Sequence, residues 1–343
     1  MSSSSAILGW DIGGVNTKAA RLPGNPGASV IRSTSLPFAV QREPQALGPA
    51  LVAVARQLGA EPTDSHAITM TAELSQAFRT KREGVAFILD ALEATFPSGR
   101  LHVYTVDGRF VSPRDARADS RAVAASNWAA TANWVGQWVP TCLLMDIGTT
   151  STDLIPIVDG KAAAEGRTDP ERLLSGELVY TGALRTPVEA VARRVPLWGR
   201  EAALSADGFA LIGDAHLWLG RLSPTDYTCS TPDGRPATRE FAGERLARTV
   251  CADRDMLDDP AIDAIAAALA GAQVRTIAEA LGSLRRRRPE ITTAVVTGLG
   301  DFIAAEAARA AGLTVRPLAE KMGDAARIAP AAAAAWLLRQ SLG

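Results

Sequence analysis

Apolar residues fall in short blocks separated by Gly, Thr, Asn and Pro, and the spacing of the blocks predicts the elements. Residues 6–10 and 17–22 flank Asp11-Ile12-Gly13-Gly14-Val15-Asn16, which reads as strand, tight turn, strand. Residues 45–58 have helical composition, and residues 66–70 read as a strand entering Thr71-Ala72-Glu73. Residues 81–95 place Val85, Ile88, Leu89 and Leu92 on one face of a helix. Short strands are predicted at 101–106 and 109–111, and a helix at 116–138 running through Ser126-Asn127-Trp128. Pro140 then punctuates, and a second hairpin begins at Thr141.

The second half reads less regularly. Residues 161–222 suggest short helices in irregular chain, and 223–237, rich in Pro, Thr and Asp, an exposed loop. Residues 261–288 form one long helix or two, ending in the basic block Arg285 to Arg288, whose charges complement a helix C-terminus. A buried strand at 292–296 leads through Thr297-Gly298-Leu299-Gly300-Asp301 into a helix at 302–311, and after a last strand ending at Val315 comes a terminal helix at 325–342. Strands and helices alternate throughout, so the class is α/β.

One pattern occurs twice. Gly9-Trp10-Asp11-Ile12-Gly13-Gly14-Val15-Asn16-Thr17-Lys18 is echoed by Met145-Asp146-Ile147-Gly148-Thr149-Thr150-Ser151-Thr152-Asp153. A carboxylate at a strand end beside a Gly-containing turn offers backbone N–H groups for an anion and oxygen ligands for its metal ion. Two copies suggest two duplicated halves facing a phosphate chain. Asp11 and Asp146 lead the candidates, because each follows buried apolar residues where an uncompensated carboxylate is expensive. Gly13, Gly14 and Gly148 allow positive φ and close backbone approach to a ligand. Asn16, Thr17, Thr149 and Thr150 add polar groups suited to phosphate oxygens, and Lys18 a point charge. The turn Gly298 to Asp301 reads as a third anion or nucleotide cradle at a helix N-terminus.

Composition narrows the function classes. The chain has 343 residues, 47% of them hydrophobic, enough for two domains with packed cores. A formal net charge of −1 argues against nucleic acid or a membrane surface as partner. Cys142, Cys229 and Cys251 show neither CxxC nor Cys/His spacing, which disfavours a disulfide framework or a zinc site and suits a reducing cytoplasm. Met1-Ser2-Ser3-Ser4-Ser5 lacks the basic region of a signal peptide, and no uninterrupted apolar run approaches a membrane span. His66, His102 and His216 are scattered without metal spacing.

The two hairpins followed by the Gly-x-Gly turn resemble the actin/hexokinase/Hsp70-like ATPase fold: duplicated ribonuclease H-like domains facing a central cleft. That resemblance implies a first domain over 1–140, a second over 141–325, and a helix at 326–343 returning to the first. A closer resemblance rests on six segments taken together. They are Asp11 to Lys18, Thr71-Ala72-Glu73-Leu74, Ser126-Asn127-Trp128-Ala129-Ala130-Thr131-Ala132, Asp146 to Asp153, Gly176-Glu177-Leu178-Val179-Tyr180-Thr181-Gly182, and Thr297-Gly298-Leu299-Gly300. On these the chain is similar to the hydantoinase A/oxoprolinase superfamily, and within it to a short, one-subunit branch linked to methanopterin-dependent C1 transfer.

The branch implies synthesis of a methanofuran-type cofactor (methylofuran in bacteria): a furan-methyl diphosphate is joined to the phenol of a tyramine unit, with diphosphate released. Mg²⁺ near Asp11 and Asp146 is expected to grip the diphosphate, and Glu73, Glu177 and Asp153 are candidates for the base that takes the phenol proton. Asn127, Tyr180 and Thr181 are candidate substrate contacts. Two features depart from the wider superfamily: the ATP-dependent hydantoinases are much longer, and they favour an acid where this chain has Lys18. The competing readings are an ATP-dependent small-molecule kinase or hydantoinase-like amidohydrolase of the same fold, and a non-catalytic protein that kept only the cradle. Whether ATP is used, and whether the chain forms a homodimer, stay open at this level.

Overall fold

A computed structural model of the protein describes residues 5–24 and 32–343. The Met1-Ser2-Ser3-Ser4 stretch read above for targeting signals lies outside the described residues. The chain forms two compact units: Met1–Leu144 with Ile155–Leu174 and Pro317–Gly343, and Met145–Leu154 with Ser175–Arg316. The boundary expected at 140/141 lies beside the first crossing, but the chain then returns to the first unit for twenty residues. Local packing explains the return. Asn133 Oδ1 accepts the Ala162 N–H at 3.1 Å, and Gly160 N–H donates to Pro140 O at 2.9 Å.

The first unit opens with β1 (Ile7–Ile12), β2 (Asn16–Leu22) and β3 (Arg32–Pro37), then α1 (Leu47–Gln57), β4 (Ser65–Met70), α2 (Lys81–Thr95), β5 (Leu101–Tyr104) and β6 (Phe110–Val111). Their sheet runs β3-β2-β1-β4-β5-β6, with β1 antiparallel to β2 and parallel to β4. Every residue of β1 is buried, as a central strand covered on both faces requires. Leu8, Trp10 and Ile12 share one core with Leu47 and Leu51 of α1 and with Val85, Ile88, Leu89 and Leu92 of α2.

Strand alternation puts Gly9 and Asp11 on the opposite face. There a Cβ on Gly9 would fall on the Ala331 carbonyl oxygen, so the glycine and the alanine tract 331–335 together let the last helix lie directly on the strand. Downstream of β6, the single helix predicted over 116–138 is instead α3 (Pro113–Ala118), α4 (Ser120–Val123) and α5 (Asn127–Gly136). The breaks have local causes. Asp119 caps a new turn by accepting the Ala122 N–H, and Ala125 adopts φ 50° where Ala124 bridges in parallel to Met70.

Next come β7 (Cys142–Ile147), β8 (Thr152–Val158), β9 (Lys161–Ala162), α6 (Asp169–Ser175), β10 (Leu178–Val179), α7 (Val188–Val191), β11 (Arg194–Leu197), β12 (Arg200–Ala203), α8 (Ile212–Trp218) and α9 (Arg239–Arg248). The chain ends with α10 (Asp259–Arg287), β13 (Thr293–Gly298), α11 (Asp301–Ala310), β14 (Thr314–Pro317), α12 (Ala319–Met322) and α13 (Ala329–Leu342). The second sheet runs β10-β8-β7-β13-β14. The hairpin β11–β12, not anticipated from sequence, turns through Trp198 and Gly199 with both φ positive, as a two-residue hairpin loop demands.

By length and mean hydropathy alone α10 is apolar enough to cross a membrane, although Asp263, Gln273, Arg275 and Glu279 interrupt its apolar residues. Its Ile262, Ile265, Ala266 and Leu269 are spent instead on a core shared with Ile212 and Ala215 of α8 and with Leu246 of α9.

Candidate active site

The two repeated turns close in the same way. Gly13 N–H donates to Asn16 O at 3.0 Å, and Gly148 N–H donates to Ser151 O at 3.0 Å. None of Gly13, Gly14 or Gly148 uses positive φ. Their value is space and fit: a Cβ on Gly14 would meet nothing within 4 Å, whereas one on Gly13 would collide with Asn16 O at 2.8 Å.

In the first turn Asp11 is 5% exposed and stands opposite Lys18 across the hairpin, with Lys18 Nζ 3.8 Å from Asp11 Oδ2. Asn16 and Thr17 are buried beside them. In the second turn Asp146 is 9% exposed, Thr149 and Thr150 hydroxyls lie 3.4 Å apart, and Asp153 pairs with Leu178 in the strand ladder.

At the same edge of the first sheet, Thr71 N–H donates to Ile12 O at 2.9 Å, which sets the segment after β4 beside the first turn. Glu73 follows in a short 3-10 turn and is 1% exposed. It is enclosed because Gly84 of α2 lies against its backbone, where any Cβ would be within 2.4 Å of the Glu73 carbonyl oxygen. Lys81 Nζ stands 3.4 Å from Glu73 Oε1 and 2.6 Å from Asp169 Oδ2, and Arg172 NH1 lies 3.6 Å from Asp169 Oδ1. Arg172 stacks on the buried Trp128 ring at 4.7 Å, and Asn127 begins α5.

Burial pushes the Glu73 carboxyl up to about 7 against the opposing pull of Lys81. Burial works against the Lys81 ammonium too, but Glu73 and Asp169 together hold it above the ordinary lysine value. Sequence reasoning found Glu73 and missed Lys81, Asp169 and Arg172. The available signal was a lysine at the first position of a Thr-capped helix, where the helix dipole disfavours a cation.

The remaining candidates divide. Glu177 is buried, and its Oε2 accepts the Ser175 hydroxyl at 2.8 Å. Tyr180 is 61% exposed, so it is not a core tyrosine. The Thr181 hydroxyl is occupied internally, 3.1 Å from Thr186 Oγ1 and accepting from Gln273 Nε2 at 2.9 Å. Gln273 also donates to Gly182 O, so its Oε1 accepts from His216 Nε2, and burial holds His216 down to about 4. His66 is likewise structural, accepting from Trp10 Nε1 at 3.0 Å, with burial holding it at about 4.

Gly298, at φ 91°, and Gly300 press on β7: a Cβ on Gly298 would lie 2.4 Å from Ile147 O and 2.5 Å from Asp146 Oδ1. Asp301 is exposed at the first position of α11. These glycines fit strand to strand, and an acid occupies the helix N-terminus that an anion would seek.

Among the described residues no three His, Cys, Asp or Glu side chains cluster as a metal cage. The donor set nevertheless fits Mg²⁺, which takes one or two carboxylates and completes its octahedron with water and phosphate oxygens. Each turn carries one buried carboxylate at its strand end, Asp11 in the first and Asp146 in the second.

Paired strand–turn–strand openings on two mixed sheets define the actin/hexokinase-like ATPase fold. Solved structures agree: a nucleotide-free acetone carboxylase matches 96% of this chain and 70% of its own at TM-score 0.59 and 12% identity. A ROK family glucokinase from Streptomyces griseus, in complex with glucose and AMPPNP, matches 98% of this chain and 100% of its own at TM-score 0.51 and 13% identity. Within that class the chain belongs to the hydantoinase/oxoprolinase family, whose profile matches residues 64–341.

The chain is 36% identical, over 88% of both chains, to (4-{4-[2-(gamma-L-glutamylamino)ethyl]phenoxymethyl}furan-2-yl)methanamine synthase of Methanocaldococcus jannaschii. The synthase of the same name from Methanococcus vannielii is 36% identical over 48% of this chain and 74% of its own.

Proposed function

We propose that this enzyme condenses an aminomethylfuran-methyl diphosphate with the phenol of tyramine or its γ-glutamyl derivative and releases diphosphate, in assembly of a methylofuran-type cofactor. The observation that carries the reading is the match over 88% of both chains to a synthase whose product name contains a phenoxymethyl-furan ether.

The local chemistry is compatible. The electron pair of the breaking C–O bond leaves on the diphosphate, and the furan shares the positive charge that develops on its methylene carbon. The phenol oxygen then forms the new C–O bond and gives its proton to a carboxylate of the enzyme. Lys18 and the N–H groups of the open turn at Gly14 stabilise the departing anion, and Asn16, Thr17, Thr149 and Thr150 orient it. Asp11 or Asp146 would be the carboxylate to hold Mg²⁺, which would supply neutralisation of the diphosphate charge. Asn127 and Tyr180 are the proposed contacts to the organic part of the substrates.

A kinase or hydantoinase-like amidohydrolase would place ATP at Gly298 to Asp301, where the exposed Asp301 and the tight packing of both glycines work against it. The deciding experiment incubates the purified chain with Mg²⁺, the furan diphosphate and tyramine or γ-glutamyltyramine, without ATP. Mass spectrometry should find the ether, with one diphosphate released per product. Turnover that appears only when ATP is added overturns the reading.

A further inference from the structure

Three carboxylates compete for the role of base, and their surroundings separate them. Glu177 already accepts a hydroxyl from Ser175, and Asp153 sits within a strand ladder beside Leu178. Glu73 differs on three counts. It lies in the segment tied by Thr71 to Ile12, at the sheet edge that carries Asp11. It is buried, and its one charged neighbour at close range is Lys81, 3.4 Å from Oε1 and short of well-formed hydrogen-bond geometry. At the start of α5, Ser126 Oγ and Trp128 Nε1 are also buried without hydrogen-bond partners among the described residues, and Ala124 just upstream bridges to Met70 at the end of β4. A buried polar atom without a well-formed hydrogen bond is costly, so each of these marks a position that a polar ligand atom would complete.

We propose that Glu73 is the base that takes the phenol proton, and that Lys81, anchored by Asp169, is the positioning residue that sets its charge and orientation. The inference rests on the ether-synthase reading. In the step the phenol O–H bond breaks, its electron pair stays on oxygen as the ether C–O bond forms, and the proton goes to a Glu73 carboxylate oxygen. The charged groups that act on Glu73 are Lys81 from α2 and Asp169 from α6; Arg172 stands behind Asp169, and α5 carries no titratable residue. Lys81 favours the ionised carboxylate and Asp169 opposes it, so the two partners push the base in opposite directions.

The test reads pH profiles of kcat/KM for tyramine, with melting curves to verify folding. In the wild-type enzyme activity rises through a limb near neutral pH. Lys81→Met should move that limb up by about one pH unit or more, Asp169→Asn should move it down, and Lys81→Arg should restore it. Glu73→Gln should lower kcat by about 10²- to 10³-fold with the KM for the furan diphosphate unchanged.

A limb that stays in place in both charge variants, or a Glu73→Gln enzyme altered only in KM for the aminomethylfuran substrate, overturns the assignment in favour of structural support or ammonium binding. An activity-independent arm compares equilibrium binding of tyramine with that of phenethylamine, which lacks the hydroxyl. Preference for tyramine should be present in the wild type and lost in Glu73→Gln. If no ether forms, the ether-synthase reading fails; if ether forms but tyramine holds no advantage in binding, only the Glu73 assignment fails.

Discussion

The first and second turns share a backbone and differ in charge. Gly13 to Asn16 and Gly148 to Ser151 close with the same 3.0 Å hydrogen bond, and Asp11 and Asp146 occupy equivalent strand ends. At the next equivalent position one carries Lys18 and the other Asp153. The segments that follow diverge further. After β4 comes a buried acid, Glu73; β13 ends in Gly298, pressed against β7. The two halves share what makes a turn and differ in the side chains around it, charged in the first half and closely packed under a carboxylate in the second.

The comparison is broken most severely by removing the shared element. Asp11→Asn and Asp146→Asn should each lower kcat by about 10³-fold, roughly 4 kcal/mol of transition-state stabilisation, where the carboxylate serves the diphosphate. Steady-state kinetics at saturating Mg²⁺ decide the matter. An Asp146→Asn enzyme within tenfold of wild type would make the second turn a structural relic.

Packing specialisation is tested by two glycines of the second half. Gly298→Ala combines a positive φ with a Cβ 2.4 Å from Ile147 O, and should cost about 3 kcal/mol or more in chemical denaturation. Gly148→Ala meets nothing nearer than 3.8 Å and should stay within about 0.5 kcal/mol. Equal costs would mean that the Gly-x-Gly turn is not the tight joint described.

How much of this was legible in the sequence follows from the range over which each signal acts. The hairpins, α2 with its four buried residues, and α10 show themselves through periodicity and turn chemistry, which are local. The β11–β12 hairpin was hidden because Arg194, Arg200 and Glu201 break the apolar alternation of an exposed ribbon. The break at Ala124–Ala125 depends on a bridge to Met70, more than fifty residues away. The candidate site was half visible for the same reason. Asp11, Asp146 and Glu73 lie in distinctive segments, whereas the Lys81–Asp169 pair joins residues 88 apart, each ordinary in its own surroundings.

A smaller effect separates stability from function at Glu73. Burial raises its carboxyl to about 7 in the folded chain from the ordinary glutamate value of 4.5, so the folded state binds more protons between those values and stability falls as pH rises through them. Glu73→Gln should therefore match the wild type near pH 4.5 and exceed it by about 3 kcal/mol above pH 8, seen as a rising difference in melting temperature. Because His66 and His216, both held down to about 4, are unchanged in the variant, their loss of stability as pH falls from 6.5 toward 4 cancels in the difference. A variant less stable than wild type at pH 8 would show that the Lys81 ion pair outweighs the burial penalty.

The smallest expected effect bears on what distinguishes the two turns. Lys18 is a quarter exposed and 3.8 Å from Asp11, so water screens its charge and its contribution to gripping a diphosphate is modest. Lys18→Met should lower kcat/KM for the furan diphosphate about tenfold, near 1.4 kcal/mol, with the KM for tyramine unchanged. Lys18→Asp, which gives the first turn the residue of the second, should lower it further, because the added negative charge faces both Asp11 and the leaving group. If Lys18→Asp matches Lys18→Met, the charge at this position is immaterial and the asymmetry between the turns must lie elsewhere, with Glu73 and its lysine as the remaining difference in charge.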